Sequence, residues 1–251
     1  MLVMGILNVT PDSFADGGRH NEFDAAVAHG LAMISECVDI IDIGGESTRP
    51  GADRVSEEEE LKRTIPVIAE LAKHGVTISI DTMRANTAEA AIKAGASIIN
   101  DVSGGLADSH MLQTAARLKV PYIAMHWRGQ SKDMNSKAVY GDVVNDVIAE
   151  LNERIEAALD AGIQKDKLII DPGLGFAKDA EHNWAIIDSI DRFVALGYPV
   201  LVGGSRKRFL GGNSPDEREA ATIELTKRLG TTGVWAVRVH SVKPHKEVLK
   251  S

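Results

Sequence analysis

The chain repeats one pattern eight times: a short apolar run that ends in polar residues or glycine. The runs are Gly5 to Asn8, Val38 to Gly44, Ile78 to Asp81, Ile98 to Asp101, Tyr122 to His126, Leu168 to Asp171, Val200 to Gly203 and Trp235 to His240. Segments with apolar residues at three- and four-residue spacing separate them, as in Glu57 to Leu71 and Val143 to Leu159. The sequence therefore predicts strands that alternate with helices.

This alternation predicts an α/β fold in which helices cover a parallel sheet. Eight units in 251 residues match the usual size of a (β/α)8 TIM barrel, whose active site lies at the C-terminal ends of the strands. A doubly wound sheet is the alternative. No linker or compositional break interrupts the pattern, so we expect one domain over residues 1–251.

Composition limits the possible partners and compartment. The formal charge of -8 and an aromatic content of 4% argue against a nucleic-acid surface. The sequence contains neither a long apolar span nor a charged leader, and its single cysteine cannot form an intrachain disulfide. We therefore expect a cytoplasmic protein without a membrane partner, in which Cys37 is a buried and inert thiol.

Polar residues follow most of the predicted strands, where a barrel places its functional groups. These residues are Asn8, Asp42, Asp81, Asn100, Asp101, His126, Asp171, Ser205, Arg238 and His240. The loop after the first run adds Asp12 and Asp16, and we expect it to be a mobile lid. The acidic run Glu57 to Glu60 begins a predicted helix that Ser56 can cap, and we expect this run to face solvent.

Asp81, Asn100 and Asp171 form a candidate site for a flat, nitrogen-rich ring. A carboxylate can accept two parallel N–H bonds, and an amide can read a neighbouring ring nitrogen. A metal cluster is the competing interpretation of the same acids. Phe176, in the glycine-rich loop after Asp171, either packs on the ring or belongs to the core.

Basic residues near the C-terminus predict an anion site in this acidic chain. Ser205 is expected in the first turn of a helix, with Lys207 adding a point charge. Arg238 and His240 lie two apart on a strand and should face the same side, where they suit a phosphate or pyrophosphate. Arg49 in the second loop suits a carboxylate or phosphate.

Seven motifs in sequence order resemble the signatures of bacterial dihydropteroate synthases. They are Asn8-Val-Thr-Pro-Asp-Ser-Phe14, Gly44-Gly-Glu-Ser-Thr-Arg-Pro-Gly51, Ser79-Ile-Asp-Thr82, Asn100-Asp-Val-Ser-Gly104, Asp171-Pro-Gly-Leu-Gly-Phe176, Ser205-Arg-Lys207 and Arg238-Val-His240. They run from the first strand to the last, so the resemblance covers essentially the whole chain. The residues Met125-His-Trp-Arg128 are similar to those of actinobacterial members.

The resemblance implies a barrel that condenses 6-hydroxymethyl-7,8-dihydropterin diphosphate with 4-aminobenzoate, with Mg²⁺ as cofactor. It assigns pterin binding to Asp81, Asn100, Met125, Asp171, Phe176 and Lys207. It assigns the diphosphate to Asn8, Thr48, Arg238 and His240, with Asn8 also the metal ligand. It assigns aminobenzoate to Phe14, Thr48, Arg49, Pro50 and Ser205. Asp16, Lys207, Arg238 and His240 are the implied catalytic residues, and the partner in the assembly is a second copy of the chain in a homodimer.

The chain departs from the family pattern near its C-terminus. Ser241 stands where Asp commonly follows the Arg-Val-His motif, and the last ten residues are short for a closing helix and contain Pro244. Two alternative functions are a pterin-binding methyltransferase that acts on a corrinoid and a catalytically silent pterin-binding paralogue. The basic motifs argue against the methyltransferase, and the intact Asn8, Asp16 and Arg49 argue against the silent copy.

Overall fold

The computed structural model describes residues 1–10, 18–46, 54–130 and 134–250, and their side chains except those of 18–21 and 134–135. Its parallel strands are β1 (Leu2–Asn8), β2 (Ile40–Gly44), β3 (Thr77–Asp81), β4 (Ile98–Asp101), β5 (Tyr122–Met125), β6 (Leu168–Asp171), β7 (Leu201–Val202) and β8 (Ala236–Val239). The described helices are α1 (Gly18–Ser35), α2 (Glu57–Leu71), α3 (Ala85–Ala94), α4 (Met111–Leu118), α5 (Val143–Asp160), α6 (Ala180–Asp188), α7 (Ile190–Val194), α8 (Glu219–Leu229) and α9 (Lys243–Val248).

The strands form one eight-stranded sheet in the order β6-β5-β4-β3-β2-β1-β8-β7. A parallel bridge between Ile170 and Val200 joins the two end strands, so the sheet is a nearly closed barrel. The predicted (β/α)8 fold is therefore confirmed, and the doubly wound alternative is wrong. None of the helices in the described ranges is long and apolar enough to cross a membrane.

Alternation along each strand separates two apolar regions. Residues such as Ile41, Ile78 and Ile170 belong to the large core between sheet and helices. Residues of opposite parity form a second buried cluster, which takes side chains from seven of the strands: Met4, Ile40, Ile98, Ile123, Ile169, Leu201 and Ala236. This second cluster fills the barrel interior, because successive side chains of a strand point to opposite faces.

The same parity decides which polar residues enter the barrel. Two residues beyond Ile40, Ile98 and Ile169 lie Asp42, Asn100 and Asp171 at the C-terminal ends of their strands. Arg238 follows Ala236 in the same way. The apolar cluster is therefore the floor of a polar layer, and a site at this end is built by the strand period itself.

Candidate active site

Arg238 occupies the centre of the polar layer and binds two carboxylates. Its Nε donates to Asp42 Oδ2 at 2.6 Å, and its Nη2 donates to Asp81 Oδ2 at 2.7 Å. Asn100 Nδ2 also donates to Asp42 Oδ2, at 3.0 Å. Because the side-chain nitrogen of Asn100 donates to Asp42, the side-chain oxygen of Asn100 is the atom that can accept a hydrogen bond from a ligand.

Burial dominates the electrostatics of this cluster. It raises the pKa of Asp81 to about 7, against the opposing charge of Arg238. Burial also disfavours charge on Arg238, but Asp42 and Asp81 outweigh it and raise the pKa of the guanidinium above its ordinary value. Asp42 is fully buried, and its Oδ1 has no hydrogen-bond partner among the described residues. The layer therefore contains carboxylates poised for a donor-rich ligand.

Asp171 and Lys207 form the second half of the layer. Burial raises the pKa of Asp171, and its Oδ1 accepts from the backbone N–H of Gly173 at 2.7 Å. Burial lowers the pKa of Lys207 to about 8, against the opposing charge of Asp171. The Lys207 ammonium donates to the carbonyl of Leu174 and lies 4.6 Å from the ring centroid of Phe176.

An apolar cluster borders the polar layer. Met125 is buried with Met83 and Val102, and the half-buried Phe176 packs against them. The thioether and ring give this side of the mouth a flat, polarisable surface. The sequence left open whether Phe176 packs on a bound ring or belongs to the core. Its ring packs against this apolar cluster and also faces Lys207.

Ser205 and His240 form a hydrogen-bonded pair across β7 and β8. The backbone N–H of His240 donates to Ser205 Oγ at 3.2 Å, and Ser205 Oγ lies 2.9 Å from His240 Nδ1. With its own proton directed to Nδ1, the Ser205 hydroxyl would leave the ring proton of a neutral His240 on Nε2.

Asn8 ends β1 beside Gly44 of β2 and is half-buried. The described part of the chain contains no group of three or more His, Cys, Asp or Glu side chains that could hold a metal ion. Several predicted site residues lie outside the described residues, namely Asp12, Phe14, Asp16, Thr48, Arg49 and Pro50. For both loops that the sequence predicts to bind substrate, the structure therefore describes only the flanking residues.

Three sequence expectations are wrong in detail. Ser205 does not open a helix, because a three-residue 3-10 turn (Arg208–Leu210) comes first and α8 begins only at Glu219. Cys37 is exposed, with a positive φ of 62°. Ser56 does cap α2, but the acidic run is not wholly solvated, since Glu60 is buried and bound by Arg84.

His126 and Asp101 were also expected among the functional groups at the strand ends, but both side chains point out of the barrel. The cause is their parity along the strand. His126 Nε2 lies 2.9 Å from Glu150 on α5. Asp101 accepts from Tyr122 Oη at 2.7 Å and from Ser103. The strand period could have shown this, since each residue lies one position beyond an inward-facing one.

Sequence reasoning placed Asp42 among the polar residues at strand ends without giving it a specific contact, and it gave no role to Arg84, Glu150 or Lys178. Arg84 binds Glu46 and Glu60 and donates to the carbonyl of Val55 at 2.5 Å, so it joins both flanks of the second loop. For Asp42 the inward parity shared with Ile40 was an available signal. The side-chain partners of Arg84 (Glu46 and Glu60) and of Lys178 (His126) lie far away in sequence and carried no such signal.

Comparisons with known proteins agree with this site. The family model described as "pterin binding enzyme" matches residues 4–240. The dihydropteroate synthase of Mycobacterium leprae is 48% identical over 99% of this chain and 91% of its own length. A structure of Xanthomonas albilineans dihydropteroate synthase with 4-aminobenzoic acid has a TM-score of 0.93 and 44% identity, covering 99% of this chain and 90% of that one. The same enzyme in complex with 7,8-dihydropteroate has a TM-score of 0.90 and 41% identity, covering 99% and 91%.

Proposed function

This chain belongs to the pterin-binding enzyme family, and we infer that it is a dihydropteroate synthase, a transferase of folate biosynthesis. The reaction joins 6-hydroxymethyl-7,8-dihydropterin diphosphate to 4-aminobenzoate and releases pyrophosphate. One observation carries the inference for this chain's own residues. Asp81, Asn100 and Asp171 are buried beside the partly buried Arg238 and Lys207, above the apolar floor of the barrel.

Asp171, Asn100 and Asp81 hold the pterin in this proposal. The ring presents several N–H donors, which carboxylate oxygens and the Asn100 carbonyl can accept. Asn100 is oriented for this by Asp42. Lys207 supplies the complementary donor, and Met125 and Phe176 cover the face of the ring.

Arg238 and His240 serve the departing pyrophosphate. Arg238 brings a positive charge into a buried layer, where charge stabilisation is stronger than in water. Ser205 holds His240 as the Nε2–H tautomer, so the imidazole can donate to a leaving oxygen. We assign Thr48 and Asn8 to the same diphosphate.

Asn8 is the described residue that we propose as the protein ligand of Mg²⁺. Mg²⁺ commonly uses one or two protein oxygens plus substrate phosphates and water. Asn8, with an amide oxygen at the end of β1, suits a single protein ligand of that kind. When bound, the ion would neutralise charge on the diphosphate.

The chemistry needs no covalent enzyme intermediate. The bond between the pterin methylene carbon and the diphosphate oxygen breaks, and its electron pair leaves with pyrophosphate. The aniline nitrogen forms the new bond to that carbon and loses one proton. The electron-rich pterin carries the developing methylene cation, which Asp16 stabilises, and ordered positioning of both substrates supplies much of the rate.

Aminobenzoate lies beside Ser205 in this proposal. Ser205 is the described member of that subsite, and Phe14, Thr48, Arg49 and Pro50 complete it from the two loops outside the described residues. The homodimer and the cytoplasmic location stay predictions. Light scattering on the purified protein would test the dimer.

The deciding experiment follows two products in one tube. The enzyme is incubated with the pterin diphosphate and Mg²⁺, with and without 4-aminobenzoate, while pyrophosphate and dihydropteroate are measured. We expect dihydropteroate only with both substrates, in equal amount to pyrophosphate. Tight pterin binding without product would instead identify a silent paralogue.

A further inference from the structure

Lys178 is a buried lysine in the loop between β6 and α6, and nothing in the proposed reaction uses it. Its Nζ lies 2.8 Å from His126 Nδ1, 3.1 Å from the carbonyl oxygen of Gly173 and 3.1 Å from that of Phe176. An ammonium has three N–H donors, and here it has three acceptors. These three hydrogen bonds favour the charged form, whereas burial opposes it and lowers the pKa of Lys178 to about 7.

His126 links this lysine to α5. A carboxylate only accepts, so the 2.9 Å contact between His126 Nε2 and Glu150 places the ring proton on Nε2. Nδ1 is then the acceptor for Lys178. Burial, with the charge of Lys178, lowers the pKa of His126 to about 4, so the ring is neutral near pH 7. Arg128 fixes Glu150 in turn through Nε at 3.0 Å.

The loop held by Lys178 carries the pterin half of the site. It begins at Asp171, presents Phe176, and offers the Leu174 carbonyl to Lys207. Its backbone is unusual, because Gly173, Gly175 and the non-glycine Ala177 all have positive φ. A Cβ on Gly175 would lie 2.8 Å from Lys207 Cδ, so the shape of the loop and the position of the Lys207 side chain depend on each other.

Lys178 joins both ends of this strained turn. Gly173 lies at its start and Phe176 at its end, and a single ammonium binds the two carbonyls. Tyr140 adds a hydrogen bond to the carbonyl of Ala177 at 2.9 Å. Backbone held at positive φ persists only when its surroundings fix it.

We propose that Lys178, fixed by His126 and Glu150, is a positioning residue that sets the pterin subsite by locking the Gly173 to Phe176 turn. The proposal deepens the proposed function and rests on it. Lys178 touches the turn rather than the reacting atoms. Its loss therefore weakens pterin binding, while the Ser205 and His240 side of the mouth, on β7 and β8, keeps its own contacts.

Steady-state kinetics of Lys178→Met tests this. The KM for pterin diphosphate should rise about 10- to 100-fold, as expected for loss of charge-assisted hydrogen bonds. The KM for 4-aminobenzoate, measured at saturating pterin, should stay within about twofold of the wild-type value. Equal changes in both KM values, or an unchanged pterin KM, would overturn the proposal.

Leu151→Ala is the matched control, because Leu151 neighbours Glu150 on α5 but is fully buried in the helix-facing core. It removes stability without touching the turn, so both KM values should hold. Glu150→Gln is the milder second variant, since Glu150 is partly exposed and is separated from the turn by both His126 and Lys178. Should Lys178→Met not fold, a pterin KM unaffected by Glu150→Gln would refute the linkage through His126.

Calorimetric titration with 6-hydroxymethylpterin separates the proposal from the proposed function. If the wild-type protein bound this pterin without making dihydropteroate, the synthase function would fail. A Lys178→Met variant with weaker pterin binding would still support the positioning role. Equal pterin affinity in the two proteins would refute the role whatever the activity, and a wild type that does not bind the pterin would refute both.

Discussion

The guanidinium of Arg238 on β8 lies 2.7 Å from the carboxylate of Asp81 on β3, although 157 residues separate them in sequence. The same side chain binds Asp42 at 2.6 Å, so one partly buried cation serves two buried acids. The proposed pyrophosphate and pterin subsites therefore share an electrostatic centre. A change to Arg238 should disturb both.

Arg238→Met should destabilise the fold as well as abolish activity. Removing one partner of a buried ion pair leaves an uncompensated charge, which costs about 3–5 kcal/mol. Urea unfolding would measure the free energy of unfolding. Lys93→Met, which breaks an exposed pair with Glu89, is the control and should leave the unfolding midpoint nearly unchanged. A similar loss in the two variants would contradict this account of the cluster.

Asp171→Asn should abolish measurable binding of the pterin diphosphate. The new amide can still accept from Gly173, but it turns a donor toward a ring that needs acceptors. Calorimetric titration with the pterin diphosphate would measure the loss. Arg49→Ala should mainly raise the KM for aminobenzoate. The partition of the subsites would be wrong if both variants lost pterin binding equally.

Ser205→Ala should slow pyrophosphate release without unfolding the protein. The hydroxyl fixes the ring of His240 through Nδ1, and a single hydrogen bond is worth about 1 kcal/mol, or roughly 5-fold in kcat. Nitrogen chemical shifts of the imidazole would report the tautomer directly. Ser205→Thr, which keeps the hydroxyl, serves as the control. An unchanged tautomer in Ser205→Ala would remove this role for Ser205.

His126 should make the fold sensitive to acid. Its pKa falls from 6.5 to about 4 because of burial, so the native ring stays neutral where the unfolded ring takes up a proton. The contribution of the neutral His126 to the free energy of unfolding is fully present above pH 6.5. It is lost as the pH falls toward 4, by up to about 3 kcal/mol. Unfolding free energies of wild type and His126→Gln, compared across this window, would measure it. A constant difference between the two proteins would count against a neutral buried His126.

Ser241→Asp should destabilise this protein, although Asp is the common residue of the family at that position. Ser241 Oγ donates to Glu219, which also accepts from Arg206 at 2.6 Å. A second carboxylate there would face Glu219 directly and should cost about 1 kcal/mol or more. Thermal unfolding would measure the change, with Ser241→Asn as the neutral control. A gain in stability would contradict a repulsion between the new carboxylate and Glu219.

Elements set by a local pattern were predicted well. The strand Leu168–Asp171 and the helix Glu57–Leu71 have the bounds expected from sequence, and α5 (Val143–Asp160) extends one residue beyond the expected segment. Each is a continuous apolar run or a three-to-four-residue apolar period, and both signals are local. The short helices α6 and α7 were missed, since nine and five residues give too few turns for a period to stand out. The closing helix α9 has six residues, in agreement with the short C-terminal segment noted in the sequence.

The sequence by itself determined the barrel and the residues at the polar ends of its strands, because buried parallel strands require apolar runs and a period of two assigns each residue a face. Tertiary structure alone decided which polar residues meet. Glu60 pairs with Arg84, His126 with Lys178, and Ser241 with Glu219. A buried charge is stable only beside a partner, and that partner comes from wherever the fold brings a complementary group within about 3 Å. No local pattern encodes that choice.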